Sequence, residues 1–364
     1  MNESKRARIA VLDNDHVLRV VRNVLVGDST NTRRELEAFF APEVCDLDRL
    51  WSIAKQIVDL DAIEVIEPQD KITGATVFLL RRGVVTRELI EASPGLRLIQ
   101  KLGSHPHRID LMAAAEKNVS IACLPRRTLI FAAEHVVLLM LALGKRLLAA
   151  DAAVRKGMSP AHESADGSVQ YNWVPLTNLS GLYGRTLGII GMGEVGTMVA
   201  EAVRGLRMRV IYYSRTRRPI EEEHALGIHH VSLDDLLKSS DFVSLHLNNS
   251  AENESFMNAS KFQKMRPTAF FINTSRGQLL DEDALYYALA SGGIAGAGLD
   301  VHRREPRPSS DPFLSLPNVV LTPHLGGGSR LAIADEVIEV LENIRDVLAG
   351  VQPRHGLYSN PSPS

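Results

Sequence analysis

Short apolar and β-branched runs recur at residues 9–12, 62–66, 75–80, 96–100 and 119–123, and stretches with apolar residues at helical spacing, such as 47–60 and 110–117, lie between them. Such runs read as strands, and strands alternating with helices predict parallel sheets covered on both faces. The rhythm restarts at 186–190 and continues through 209–214, 242–247, 269–273, 294–301 and 319–321. Two doubly wound α/β units are therefore expected. A helical pattern over 132–150 is long enough to connect them. The stretch 156–184 that follows scatters Gly, Pro, Ser and Asn among few apolar residues, Tyr171 and Trp173 excepted, and reads as a long loop. The tail, residues 352–364, is rich in Pro and Ser and is expected to fray.

Composition narrows the function classes. A length of 364 residues suits two domains, and a hydrophobic fraction of 45% with 23% charged residues is that of an ordinary globular chain rather than a disordered one. Lys and Arg number 41 against 43 Asp and Glu, so no charge excess advertises a nucleic-acid or membrane partner, and a small-molecule ligand is expected. The only cysteines, Cys45 and Cys123, form no CxxC, which leaves neither a disulfide framework nor a thiolate metal site; no metal is expected and a reducing cytoplasm fits. Residues 9–12 are cut off by Asp13 before they could serve as a signal-peptide core. The longest apolar stretch, residues 136–143, falls short of the ~20 residues of a membrane span, so no membrane crossing is expected.

The first chemical signal is Gly191-Met192-Gly193-Glu194-Val195-Gly196, set between the expected strand 186–190 and an apolar helix over 195–206. There, glycines permit a tight turn and close approach to a pyrophosphate, whose charge a helix N-terminus favours. The Glu194 side chain is expected to point away from that charge. The next strand ends at Ser214-Arg215-Thr216-Arg217-Arg218, without the Asp or Glu that an NAD site would use on the ribose 2′-hydroxyl. A hydroxyl with arginines suits a 2′-phosphate, so NADP(H) is the preferred cofactor and NAD(H) a possible one. The alternative is a solvated basic turn balanced by Glu221, Glu222 and Glu223.

Three later stretches hold Arg276 in Asn273-Thr274-Ser275-Arg276-Gly277, Glu305 after Leu299-Asp300-Val301, and His324 in Thr322-Pro323-His324. Arg can clamp a carboxylate, His can exchange a proton with an alcohol or carbonyl oxygen, and Glu beside His can orient it and favour its charged form. Each has a structural alternative taken singly. Jointly, in this order behind the glycine motif, they form a reaction kit.

With these stretches and Ala133-Glu134-His135, the chain resembles the D-isomer-specific 2-hydroxyacid dehydrogenase family from about residue 96 to 350. The resemblance implies substrate binding and carbonyl polarisation by Arg276, support of the imidazole by Glu305 and acid/base catalysis by His324. It also implies Asp300 as partner of the nicotinamide carboxamide, Thr274 beside the ring, and Gly191, Gly193, Glu194, Val195, Gly196, Ser214, Arg215 and Thr216 around the dinucleotide. The implied architecture is a central Rossmann cofactor domain, residues 126–323, and a flavodoxin-like discontinuous substrate domain, residues 1–125 with a returning helix at 324–350 and a tail at 351–364. The reactive cleft would lie between them, and a homodimer through the cofactor domain is expected.

Two departures bear on the substrate. Where relatives commonly read Gly-Val-Gly in the loop whose amides hold the carboxylate, this chain reads Gly103-Ser104-His105 followed by Pro106, and Cys123 replaces an asparagine nearby. Gly103, Ser104 and His105 remain the candidate substrate-binding residues, with Lys101 and Arg126 as further candidates for an anionic or bulkier substrate. The resulting expectation is hydride transfer between a nicotinamide cofactor and a 2-oxo or D-2-hydroxy acid. Rival readings are a dinucleotide-sensing binding protein like the corepressors that resemble the family, and D-3-phosphoglycerate dehydrogenase.

Overall fold

A computed structural model describes residues 6–67, 72–157 and 171–358. The chain divides into two compact units, one formed by Met1–Thr128 with Ser329–Ser364 and the other by Leu129–Gly328.

The first unit holds strands β1 (Ala7–Val11), β2 (Ile63–Ile66), β3 (Val77–Leu80), β4 (Leu98–Leu102), β5 (Ser120–Leu124) and, from the far end of the chain, β13 (Leu357–Tyr358). Their order is β13-β5-β4-β3-β1-β2, parallel except that β13 runs antiparallel to β5. In β3, Val77 and Leu79 enter one core while Phe78 and Leu80 enter another, the two-residue period of a strand buried on both faces. Helices His16–Val26, Thr30–Phe40, Leu47–Ile57 and Ala332–Leu348 cover the first face, burying Leu18, Phe40, Trp51 and Leu341 among others. Each such side chain contributes roughly 1.5–3 kcal/mol by leaving water.

The expected fraying of the tail does not hold for residues 352–358. Asn343, fully buried, donates to the His355 carbonyl at 2.9 Å and accepts the His355 N–H at 2.9 Å, and the Cys123 N–H donates to the Gly356 carbonyl at 2.7 Å. Main-chain groups that would otherwise seek water are thus taken up by β5 and the last helix. Residues 359–364 lie outside the described residues.

The second unit carries β6 (Thr186–Ile190), β7 (Arg209–Tyr213), β8 (Ile228–His230), β9 (Phe242–Leu245), β10 (Phe270–Asn273), β11 (Gly296–Leu299) and β12 (Val319–Leu321). The order is β12-β11-β10-β9-β6-β7-β8, and every pairing is parallel. Chain order reverses between β6 and β9, the topological switch point where open α/β sheets bind ligands beyond their carboxyl ends. Helix Arg127–Gly144 has the length and apolarity of a membrane span, yet Val136, Leu139, Met140 and Leu143 are packed with Leu187, Ile189 and Val199 in the core of this sheet. The single helix expected over 132–150 is broken, because Arg146 adopts φ 51° and a second helix, Leu147–Arg155, starts after it. Of the loop-like stretch 156–184, residues 158–170 lie outside the described residues; beyond them the Asn172 amide ties the turn to Leu176 with bonds of 2.8 and 3.1 Å.

Candidate active site

The glycine motif follows β6 at the switch point. Gly191 has φ +97°, and a Cβ there would lie 2.5 Å from the His246 carbonyl oxygen, so the turn admits glycine alone. A Cβ on Gly196 would lie 2.4 Å from the Gly191 carbonyl oxygen, which fixes helix against strand. Gly193 differs: nothing stands within 4 Å of its Cβ position. It begins helix Glu194–Arg204 without any side-chain cap, so a helix N-terminus, which favours an anion, stands beside that open space. Beside the turn, burial pushes His246 down to about 4, which makes it a neutral ring at ordinary pH, with Nε2 2.8 Å from Ser244 Oγ.

At the end of β7 the arginines sort themselves. Arg217 makes a bidentate pair with the buried Glu223 at 2.9 and 2.8 Å, and Glu223 also accepts the Tyr212 hydroxyl at 2.8 Å. The Arg217 guanidinium holds the Glu223 carboxyl down to about 2 against the opposing effect of burial. Arg218 donates to Glu222 at 2.7 Å, to the Met192 carbonyl at 2.8 Å and to Thr197 Oγ1 at 3.1 Å. These two are therefore engaged by the protein, and the expectation that either would neutralise a 2′-phosphate is corrected: Arg218 braces the glycine turn from behind. Arg215 instead stands exposed, in a 3.0 Å pair with the equally exposed Glu252 that contributes little in water. Ser214 Oγ donates to the Thr216 carbonyl at 2.5 Å.

The remaining groups line the carboxyl ends of β10, β11 and β12. Asn273 ends β10 and folds the turn after it, accepting the Ser275 N–H at 3.0 Å and donating to the Arg276 carbonyl at 3.0 Å, which leaves the Arg276 side chain exposed. Thr274 Oγ1 is buried there without a hydrogen-bond partner. Asp300, 1% exposed, accepts Thr322 Oγ1 at 2.7 Å and the N–H groups of Leu325 and Gly326 at 2.9 and 2.8 Å. His135 Nε2 lies 3.3 Å from it and 3.0 Å from Thr322 Oγ1. Burial alone would raise the Asp300 carboxyl, but the bonds from His135, Thr322 and the two amides hold it well below the usual carboxylate range. His324, at φ 55°, presents Nδ1 to Glu305 Oε2 at 2.8 Å, while Glu305 Oε1 accepts the His302 N–H at 2.9 Å. Burial works to raise Glu305 too, and the contacts with His324 and His302 more than offset it.

Arg276, Asp300, Glu305, His324, Thr274 and the glycine turn thus stand along one edge of one sheet. Gly103, Ser104 and His105 belong to the first unit, after β4, where the Gly103 N–H donates to the Leu124 carbonyl at 2.7 Å and His105 stacks on His107 at 5.4 Å between centroids. Lys101 is buried with its ammonium on the Arg81 carbonyl, and Arg126 is buried as well. His302 was legible only as one residue of the stretch after β11, and its contact with Glu305 had no signal in the sequence. The open cradle at Gly193, the uncapped helix and the unpartnered Thr274 hydroxyl are donors and space of the kind a pyridine dinucleotide requires.

Comparison with known proteins identifies the family. The family model for the D-isomer specific 2-hydroxyacid dehydrogenase NAD binding domain matches residues 137–326. A glyoxylate reductase of Korarchaeum cryptofilum is 37% identical over 261 residues, covering 71% of this chain and 75% of that protein. The crystal structure of a glyoxylate reductase from Paecilomyes thermophila aligns with TM-score 0.52 and 26% identity over 94% of this chain and 95% of that one. An acyclic imino acid reductase in complex with NADPH and D-Arg aligns with TM-score 0.54 and 25% identity over 97% of this chain and 100% of that one.

Proposed function

The chain belongs to the D-isomer specific 2-hydroxyacid dehydrogenase family, NAD(P)-linked oxidoreductases of 2-oxo and 2-hydroxy acids, and on that premise we propose that His324, Glu305 and Arg276 carry its reaction. The observation that carries the reading is the 2.8 Å contact of His324 Nδ1 with Glu305. It directs the other ring nitrogen, Nε2, to the reacting oxygen, and the carboxylate stabilises the imidazolium that must form or discharge. In reduction, His324 gives its proton to the carbonyl oxygen, and Arg276 clamps the carboxylate and polarises the carbonyl. When bound, a dihydronicotinamide would supply the hydride for C2. For Gly103, Ser104 and His105, in the first unit, the proposed role is substrate recognition.

The substrate we propose is glyoxylate or a close 2-oxo acid homologue, supported by the glyoxylate reductases to which the chain is similar. For the cofactor, Gly191, Gly193, Glu194, Val195 and Gly196 would hold the pyrophosphate and Thr274 would stand beside the ring. Asp300, whose Oδ2 accepts the Gly326 N–H at 2.8 Å, would hold the carboxamide. NADP(H) is preferred over NAD(H), because Ser214, Arg215 and Thr216 follow β7 with no carboxylate in the place that would repel a 2′-phosphate. The exposed apolar side chains of Ile130, Leu138, Leu141, Leu147, Leu148 and Val154 support a homodimer through the cofactor unit, and Cys45 and Cys123, which form no disulfide, suit a cytoplasmic location.

The test is turnover of a panel of 2-oxo acids by the purified chain with NADPH and with NADH, repeated with Arg215→Ala. Glyoxylate should be reduced faster with NADPH, and the variant should raise KM for NADPH about tenfold while leaving KM for NADH within about twofold. Equal losses for both cofactors, or a parental preference for NADH, would refute the NADP(H) assignment. Cofactor binding without turnover of any 2-oxo acid would refute the substrate.

A further inference from the structure

Behind the acid–base pair stands a residue that the reaction itself does not touch. His302 is 7% exposed, in the loop after β11. Its N–H holds Glu305 Oε1 at 2.9 Å, the oxygen opposite the one on His324. Its ring Nε2 lies 2.9 Å from the Thr322 carbonyl, which also accepts the His324 N–H at 3.0 Å. Its main chain runs so close to the turn after Arg276 that a Cβ on Gly277 would lie 2.0 Å from the His302 carbonyl carbon. One residue therefore abuts the supports of Arg276, Glu305 and His324.

The orientation of that ring is set by Arg307, whose Nε donates to His302 Nδ1 at 2.7 Å. A guanidinium has only donors and a carbonyl only accepts, so Nδ1 carries the lone pair and Nε2 the proton that is given to Thr322. Arg307 is itself held on its other sides. Its side chain is 9% exposed, with Nη2 on Glu282 at 2.6 Å, Nη1 on Asp311 at 2.5 Å and the guanidinium carbon 4.7 Å from the centre of the Phe313 ring. Both carboxylates are thus used to aim one nitrogen at one ring.

We propose that Arg307, acting through His302, is a positioning residue for the His324–Glu305 pair. It selects the tautomer and tilt of the His302 ring, and the ring holds the turn Thr322-Pro323-His324 in line with the Glu305 carboxylate. Displacement of a proton donor by a fraction of an ångström costs rate and leaves binding almost intact, since neither His302 nor Arg307 is among the groups proposed to hold substrate or cofactor. The proposal rests on His324 being the acid, and the variants below leave His324 and Glu305 in place.

The test is steady-state kinetics of the full chain with NADPH and glyoxylate for Arg307→Lys, His302→Phe and the double variant. Arg307→Lys keeps a cation for Glu282 and Asp311 but loses the Nε donor, so kcat should fall about tenfold, with KM for glyoxylate and the NADPH Kd within about twofold. His302→Phe should do the same, and the double variant should be no worse than either single one, because both changes sever a single path. Multiplying losses, a kcat within about twofold of the parent, or a fall confined to KM would overturn the proposal. If His302→Phe fails to fold, Arg307→Lys decides alone. An inactive His324→Gln beside unaffected Arg307 variants would reject this role only, whereas an active His324→Gln would reject the acid itself.

Discussion

The carboxyl edges of the two sheets are built alike at the main chain and differently at the side chains. In each, an aspartate grips a loop by its amides: Asp13 accepts the N–H groups of Arg81, Arg82 and Gly83, each at 2.8 Å, as Asp300 accepts those of Leu325 and Gly326. In the second unit the side chains standing on such loops interlock, with Glu305 bound at both oxygens and His324 bound to it. In the first unit, His105 and His107 stack, Arg108 donates to the Arg82 carbonyl at 3.1 Å, and Arg82, His107 and Arg108 are exposed. Proton transfer requires a donor fixed to within tenths of an ångström, whereas holding a variable part of a substrate does not. The edge with interlocked side chains is thus suited to the proposed proton transfer, and the edge with more exposed ones to the proposed substrate choice.

That contrast can be broken by substitution. The larger effect is expected for Glu305→Gln, which removes the charge that orients and stabilises the imidazolium; kcat should fall about 100-fold with KM for glyoxylate nearly unchanged, as measured by NADPH absorbance. Because the Glu305 carboxyl lies below its ordinary value in the folded state, the ionised carboxylate is fully present above the unfolded value and is lost only as pH falls through the lower folded one. The parent enzyme should therefore hold its reductive rate down to pH values beneath the usual carboxylate range, and loss of rate already at pH 5–6 would count against this pairing. The smaller effect is expected for His105→Ala. It should change KM by about threefold, differently for glyoxylate and for bulkier 2-oxo acids, and leave kcat within about twofold. A kcat collapse there would erase the distinction between the edges.

Much of the fold was legible because buried parallel strands are near-continuous apolar runs. The strands at 186–190 and 319–321 fall where the pattern places them, and β3 to β5 within two residues. The short strand Ile228–His230 and the tail strand Leu357–Tyr358 were not legible: the first offers one apolar residue, the second two, and both are defined by a neighbour's free edge rather than by their own pattern. The break at Arg146 was hidden because apolar spacing continues across it. At the site, residue types and order pointed to Arg276, Glu305 and His324. The fates of Arg217 and Arg218 were not readable, since a basic turn looks the same in sequence whether its guanidinium groups face a phosphate or, as here, Glu223 and the Met192 carbonyl. Likewise, nothing in the spacing of His302 and Arg307 shows that one ring would be aimed by the other.

The most direct measurement is His324→Gln, assayed for glyoxylate reduction and, separately, for NADPH binding by nicotinamide fluorescence. A glutamine keeps the size and polarity of the side chain but cannot carry and release the proton. The account predicts a kcat about 1000-fold below the parent with NADPH affinity within about twofold. Turnover close to that of the parent would contradict it, and would leave the 2.8 Å contact with Glu305 as a structural tie between two loops.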